Sequence, residues 1–342
     1  MNTGFPLVAL RLRFTCVAEN PLTLGGLRAG SRLRGALLNV MRRTTCTLYP
    51  QPAGAQPRVD AAHAASCPVC WLIAANERPG QERRGYVLTP PQNAPEQVAL
   101  GSSFDFHLTL LGEAIRYLPY FILAVPEAGR RGLGPGRARF RLQRILAEYP
   151  LGESLLVLES GEQVVRAPNH WIDHPAMEEK AARILAAQNG RESIQMKVDF
   201  YTPLRLVSDG RLLKQPHFAP FFAHLLLRLD ELAMQFCRGE RRNHDERQRL
   251  MQAADQVRLV EHTTRWAEVR SGSTRTGRVT WISGLVGQAV YNAPREVWQM
   301  LLPWLLWGEI VQVGKDTAKG NGAFCISPAG GENGHYSAPG RG

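Results

Sequence analysis

Residues 10–16 alternate Leu10, Leu12, Phe14 and Cys16 with Arg11, Arg13 and Thr15. This is the two-residue period of a strand with one buried face, and its other face is basic. After Gly25, Gly26, Gly30 and Ser31 the period changes: Leu33, Leu37, Val40 and Met41 recur at helical spacing, with Arg32, Asn39 and Arg43 mostly elsewhere on the wheel. Strands are predicted at 86–89 and 104–110, the second alternating Phe104, Phe106, Leu108 and Leu110 with Asp105, His107 and Thr109. Residues 117–128 predict a helix opening near Pro119, followed by a loop over 129–139 and a strand from Phe140 through Ile145. The order is βαββαβ, interrupted by an insertion at about 46–83 whose Pro, Ala, Gly and Arg content predicts a loop.

Beyond a connecting region at 151–192, alternation resumes with Ile194, Met196, Val198 and Phe200 against Gln195, Lys197 and Asp199. A helix is predicted over 218–237, a charged and solvated segment over 238–249, strands near 257–269 and 278–291, and a helix over 294–307. The tryptophans at 298, 304 and 307 share that last helix with four leucines and are expected in its core. Both halves close as helix, glycine-rich basic loop and strand, the last strands starting at Phe140 and near Phe324. The expected architecture is α+β: two tandem ferredoxin-like (RRM-like, βαββαβ) domains over 1–150 and 193–327, each with a glycine-rich loop before its last strand. A glycine-rich tail over 328–342 is expected to be disordered.

The length of 342 residues fits two domains, each large enough to bury a core. Forty-one Lys and Arg against thirty Asp and Glu give a formal charge of +11, which calls for an acidic partner. The most apolar run, 298–307, falls well short of the ~20 residues of a membrane span and contains Pro303. No basic segment precedes the first apolar run, so no secretory signal is read and a cytoplasmic location is expected. Six cysteines are too sparse for a disulfide framework, and reduced thiols are expected.

Within the first loop, Gly132, Gly134 and Gly136 permit close backbone approach to a ligand, and Arg130, Arg131, Arg137 and Arg139 supply forked donors matched to phosphate. The run Gly132–Gly136 superficially resembles a dinucleotide fingerprint, yet it follows a helix and precedes a strand, the reverse of the Rossmann order. No Walker loop occurs either, so a nucleotide cofactor is not expected. The second loop repeats the theme with Gly314, Lys315, Lys319, Gly320 and Gly322. In the insertion, Cys67 and Cys70 have the spacing that brings two thiolates to one metal; with Cys46 and His63 they form a candidate structural zinc set.

The stretch 116-RYLPYFILAVPEAGRRGLGPGRARFRL-142 resembles the CRISPR repeat-processing endoribonucleases of the RAMP superfamily, the sixth numbered Cas family. Further signatures match at 202-TPLRL-206, 257-VRLVEHTTRW-266, 284-GLVGQAVY-291 and 305-LLWGEIVQVGKDTAKGNG-322, so the resemblance spans nearly the whole chain. It implies two ferredoxin-like domains, binding of repeat RNA in precursor CRISPR RNA, and release of guide RNAs. Partners would be repeat RNA, mature guide RNA and other Cas proteins of an effector complex. Cleavage in this family uses the adjacent 2′-hydroxyl, leaves a 2′,3′-cyclic phosphate and takes no metal or other cofactor. The implied RNA contacts are Arg32, Arg34 and the residues of both loops named above.

Many members use a histidine near the first helix, and residues 31–43 contain none. Four alternatives stay open: His63 folds back to the site; His262 serves; Lys315 and arginines act by position and charge; or the chain is a catalytically inactive binding subunit. The candidate catalytic residues are therefore His262 and Lys315.

Overall fold

The computed structural model describes residues 4–49, 60–74, 83–134, 136–162, 164–208, 210–272 and 279–330. Strand β1 (Ala9–Ala18) buries Leu10, Leu12, Phe14 and Cys16 completely and turns Arg11 and Arg13 to the opposite face. It pairs antiparallel with β3 (Ser103–Leu111) and β4 (Phe140–Glu148); β2 (Tyr86–Thr89) lies outside β3 and β5 (Ser154–Glu159) outside β4. The first sheet thus runs β2-β3-β1-β4-β5. The second runs β7 (Arg258–His262), β9 (Gly284–Pro294), β6 (Ser193–Leu204) and β10 (Phe324–Pro328), with β8 (Arg265–Ala267) also on β9. In both, the first strand is central and the second strand of the unit lies outermost, the spatial order of a βαββαβ unit.

Helices α1 (Ala29–Thr45) and α4 (Leu118–Arg131) bury their apolar stripes with the first sheet, and α6 (Phe218–Phe236) and α8 (Arg295–Val311) with the second. Trp298, Trp304 and Trp307 are buried, as their spacing predicts.

Several elements depart from the sequence expectation for local reasons. The insertion contains two short helices, α2 (Ala61–Ser66), whose first turn is capped by Asp60 Oδ1 accepting from His63 N at 2.7 Å, and α3 (Pro68–Ala74). Residues 151–192 supply β5 to the first sheet and α5 (His174–Ala186), which packs on α8. Helix α4 continues to Arg131, so Gly129, Arg130 and Arg131 are helical. The strand expected near 257–269 divides into β7 and β8. The charged segment leads into α7 (His244–Ala254), and its Arg242 is buried instead of solvated: it pairs with Asp230 at 2.7 Å and stacks 4.2 Å above the Trp304 ring. Strand β10 runs through Pro328, and residues 331–342 of the expected tail lie outside the described residues.

The two halves meet by close backbone approach. Gly30, in the first turn of α1, abuts the Lys319 carbonyl and Gly320 Cα, and Gly320 in turn faces Pro90 and the Leu88 carbonyl. Beside them the wholly buried Gln312 donates from Nε2 to Leu88 O and Thr89 Oγ1, both at 3.0 Å. A second contact places Phe236, at the end of α6, against Gly85 and Gly112 of the first half.

Adding one methyl at Gly30 forces these backbones apart, so Gly30→Ala is expected to lower unfolding free energy by about 2–3 kcal/mol. Gly35, on the same helix with open space around it, should instead gain about 0.5–1 kcal/mol as Ala. Denaturant unfolding of the two variants should therefore move in opposite directions.

His174 supplies a pH dependence. Burial, then the nearby Arg242 charge, lowers its pKa from 6.5 to about 4; its Nδ1 accepts from Trp307 Nε1 at 3.2 Å and its ring stacks on Trp304. Glu178, 3.7 Å from Nε2 but largely exposed, does not offset this. Because the folded-state pKa is depressed, the unfolded chain takes the proton first as pH falls. Stability present above pH 6.5 is thus lost between 6.5 and about 4, by up to about 3 kcal/mol. Urea titrations across that window should show a steeper loss for the wild type than for His174→Gln.

A candidate RNA interface at the seam of the two halves

The stretch 19–32 touches both glycine-rich loops. Glu19 N donates to Arg139 O at 2.9 Å, and Arg139 N donates to Asn20 Oδ1 at 3.3 Å. Arg32 Nη1 donates to Thr23 O at 2.8 Å, the same carbonyl that lies 3.2 Å from where a Cβ on Gly134 would stand. At the other end Gly30 meets the second loop, and Leu27 packs on Ala267, Val269, Ile282 and Val286. Burial, the Arg28 charge and the opposing pull of Glu96 leave the Arg32 pKa below its ordinary value.

The first loop is an open hairpin closed by the Leu133–Ala138 bridge. Gly132 has φ +83° and a Cβ there would strike the Arg137 carbonyl; Gly134 has φ +75°. Those two glycines are required by the turn. Gly136 is not: its φ is not positive and no atom would lie near an added Cβ, so the space beside it is available to a ligand. Arg137 and Arg139 are exposed and have no ion-pair partner among the described residues. Arg130 and Arg131, by contrast, sit on the last turn of α4 and both pair with Glu127, at 2.5 and 2.6 Å. The Arg131 hydrogen bond is the main cause of the lowered Glu127 pKa.

The second loop, similar in composition, is built differently. Gly314, Gly320 and Gly322 all have positive φ, and each faces backbone or packed side chains that a Cβ would strike. Its amides are largely spent internally: Lys315 N on Arg205 O, Gly320 N on Thr317 O, Asn321 N on Asp316 O and Gly322 N on Pro203 O. Gly320 serves the packing of the two halves, Gly314 and Gly322 the packing of the loop on its own half, and the loop's outward chemistry lies in exposed Lys315 and in Lys319, which pairs with Asp316 at 2.8 Å.

The candidate catalytic residues are not brought together. His262 is exposed on β7, 2.8 Å from Thr264 Oγ1, and lies opposite Ala289, which lies opposite Val198. The Lys315 amide bonds Arg205, seven residues further along, roughly 20 Å at about 3.3 Å per strand residue. His63 belongs to the cysteine cluster at the C-terminal end of α1, 3.4 Å from Cys46 Sγ, and not to the loops at the first turn of that helix. Arg34 turns inward, with Nε 3.2 Å from the Tyr86 hydroxyl.

Sequence reading missed one polar group. On the basic face of the first sheet, His107 Nε2 lies 3.1 Å from Glu148 Oε2, and Arg13 Nε lies 3.0 Å from the same carboxylate. Arg11 reaches across to the Glu309 carbonyl of α8 at 3.4 Å. Burial lowers the His107 pKa; burial alone would raise Glu148, but His107 and the two arginines hold it below its ordinary range. The alternation at 11, 13 and 107 was legible, whereas the pairing with Glu148 required the sheet register.

In the insertion, one ligand atom from each of Cys46, His63, Cys67 and Cys70 lies within 4.8 Å of every other, and the three cysteines are buried.

Comparison with known proteins places the fold and the second half of the chain. Residues 5–170 match the family model described as an N-terminal domain, AF_1859_N, and residues 198–324 match that of CRISPR-associated endoribonuclease Cas6. Among solved structures, Thermus thermophilus Cas6 superposes with a TM-score of 0.52 at 14% identity, covering 94% of this chain and 98% of that one. A Cas6 product complex gives 0.52 at 17% identity, over 94% and 99%. A partial Cas6-RT-Cas1–Cas2 complex gives 0.57 at 13% identity, over 96% of this chain and 47% of that chain. At these identities the structural likeness is one of fold. No curated protein matches the sequence. The fold is that of two tandem ferredoxin-like units, shared with the Cas6 structures. Residues 198–324 thus match the Cas6 endoribonuclease family, and the chain as a whole shares the fold of solved Cas6 structures. Among the described residues no helix is long and apolar enough to cross a membrane.

If the first loop holds phosphates, replacing Arg137 and Arg139 together by Ala should reduce the slope of log affinity against log salt by about 1.4, near 0.7 per single-strand phosphate contact. Gly136→Ala should leave thermal stability unchanged while weakening RNA binding. Fluorescence titrations at several salt concentrations check both.

Proposed function

We propose that the chain binds the repeat of precursor CRISPR RNA across the seam at α1 and cuts it without a metal ion. The convergence of the open arginine loop and the Lys315–Lys319 loop on residues 19–32 carries this reading. Two domains, 1–150 and 193–327 joined by 151–192, present one loop each. Arg137 and Arg139, with Arg130 and Arg131 behind them, follow the RNA backbone past Gly132, Gly134 and Gly136. Arg32, Lys315 and Lys319 meet the reacting phosphate, and Arg34, Gly314, Gly320 and Gly322 hold that surface in place.

In the cut, the 2′-oxygen attacks the adjacent phosphorus and the bond from phosphorus to the 5′-oxygen breaks. The products are a 2′,3′-cyclic phosphate and a 5′-hydroxyl; the 2′-proton passes to a base or to water, and the departing 5′-oxygen gains one. Cations fixed around the phosphorane lower the barrier because negative charge accumulates there in the transition state. Of the alternatives left by the sequence, Lys315 acting by position and charge fits best, and His262 takes no part at the same phosphate. Repeat RNA, the mature guide RNA and other Cas proteins of an effector complex are the partners, in the cytoplasm. No cofactor enters the chemistry, and the Cys46, His63, Cys67 and Cys70 cluster holds zinc in a structural role.

A second reading, an inactive repeat-binding subunit, is favoured by the absence of histidine on α1 and by the separation of His262 from Lys315. Incubation with the repeat of its own locus in EDTA separates the two. Cleavage abolished by a 2′-deoxy substitution at the cut site, with Lys315→Ala lowering kcat by about 10²-fold, supports the enzyme. Tight binding without any cut supports the silent subunit.

A further inference from the structure

The insertion between α1 and β2 has little means of holding itself in place. Helices α2 and α3 contain six and seven residues, too short to persist without outside support. Even so, Cys46, Cys67, Val69, Cys70 and Leu72 are buried in the core. Zinc–sulfur bonds of about 2.3 Å and zinc–nitrogen bonds of about 2.0–2.1 Å give tetrahedral edges of ~3.8 Å between sulfurs and ~3.6 Å between sulfur and nitrogen. Here Cys46 Sγ lies 3.7 Å from Cys70 Sγ and 3.4 Å from His63 Nε2. Those separations are too long for a disulfide, whose sulfurs sit about 2.05 Å apart. A mutual spread of 4.8 Å leaves room for one ion and none for an iron–sulfur cluster. Three thiols and one imidazole gathered this closely are a zinc donor set.

We propose that Cys46, His63, Cys67 and Cys70 bind a single zinc ion, and that the ion makes α3 a strut between the two halves. Cys46 closes α1, and Cys70 precedes Trp71 on α3. The Trp71 ring lies 5.0 Å from Tyr117, at the entry to α4, and 5.9 Å from Phe236, at the end of α6 in the second half. The Arg116 guanidinium sits 5.2 Å from the same ring. The ion therefore anchors α3 to the end of α1, and Trp71 passes that constraint to both halves. Cys46 follows Gly30 at the RNA seam by sixteen positions, about 24 Å of helix, so the zinc is a brace without a part in the cut.

Metal analysis of the full chain, purified without added zinc, should find one zinc per molecule. Cobalt(II) in its place should give tetrahedral visible bands and thiolate charge transfer, and His63→Cys should keep the metal while shifting the cobalt bands. Metal-free wild type, or a Cys46–Cys70 disulfide in place of the ion, overturns the site; an unshifted cobalt spectrum in His63→Cys overturns the assignment of His63. For the strut, chelation should lower the wild-type melting temperature by roughly 5–10 °C and that of Trp71→Ala by less than half as much. Equal shifts in the two proteins overturn the strut.

Discussion

The structure turns on the place where the first turn of α1 lies backbone to backbone against the loop at 314–322. Gly30 and Gly320 are there because nothing larger fits, and Gln312 seals the contact by bonding its side chain to the edge of β2. Everything proposed for function depends on that approach. It fixes α1 relative to the second half, and with it Arg32, Leu27 and the stretch that supports the first loop. The Cys46, His63, Cys67 and Cys70 cluster lies at the far end of the same helix, and Phe236 against Gly112 joins the two halves at a second point. The two halves are thus joined at two points, which leaves little freedom for hinge motion between the sheets.

Two loops of similar composition do unlike work. The second spends its glycines and amides on packing, and the first leaves Gly136 and two arginines facing open space. The net charge of +11 is distributed in the same uneven way. Arg242 is sealed against Asp230 and Trp304, and Arg228 donates to Val311 O in a core that pushes its pKa down to about 9. Arg11 and Arg13 are engaged by Glu148. Part of the formal charge is thus spent inside the protein, whereas Arg137, Arg139 and Lys315 are exposed.

Regular alternation and helical spacing made the two sheets and their four packed helices legible, since both patterns are short-range consequences of burying one face. The cysteine spacing likewise exposed the candidate metal set before any fold was known. Less was legible where a residue's role is set by a distant partner. Glycines at 314, 320 and 322 look like those at 132, 134 and 136, and only the folded surroundings, with Arg205, Pro90 and Val313 close against the first three and open space beside Gly136, separate packing from ligand space. Arg242 reads as part of a solvated charged run until Trp304 and Asp230 close over it. Helices α2 and α3 escaped detection because helices of six and seven residues, under two turns each, are too short to show a period.

The central claim is that RNA lies on the seam where both loops meet α1. Ultraviolet cross-linking of repeat RNA, followed by mass-spectrometric location of the modified residues, tests it most directly. Adducts confined to residues near Arg32, Arg137–Arg139 and Lys315–Lys319 are the predicted outcome. Adducts concentrated on the basic face of the first sheet, around Arg11, Arg13 and Arg144, with the seam unmarked, would contradict the account.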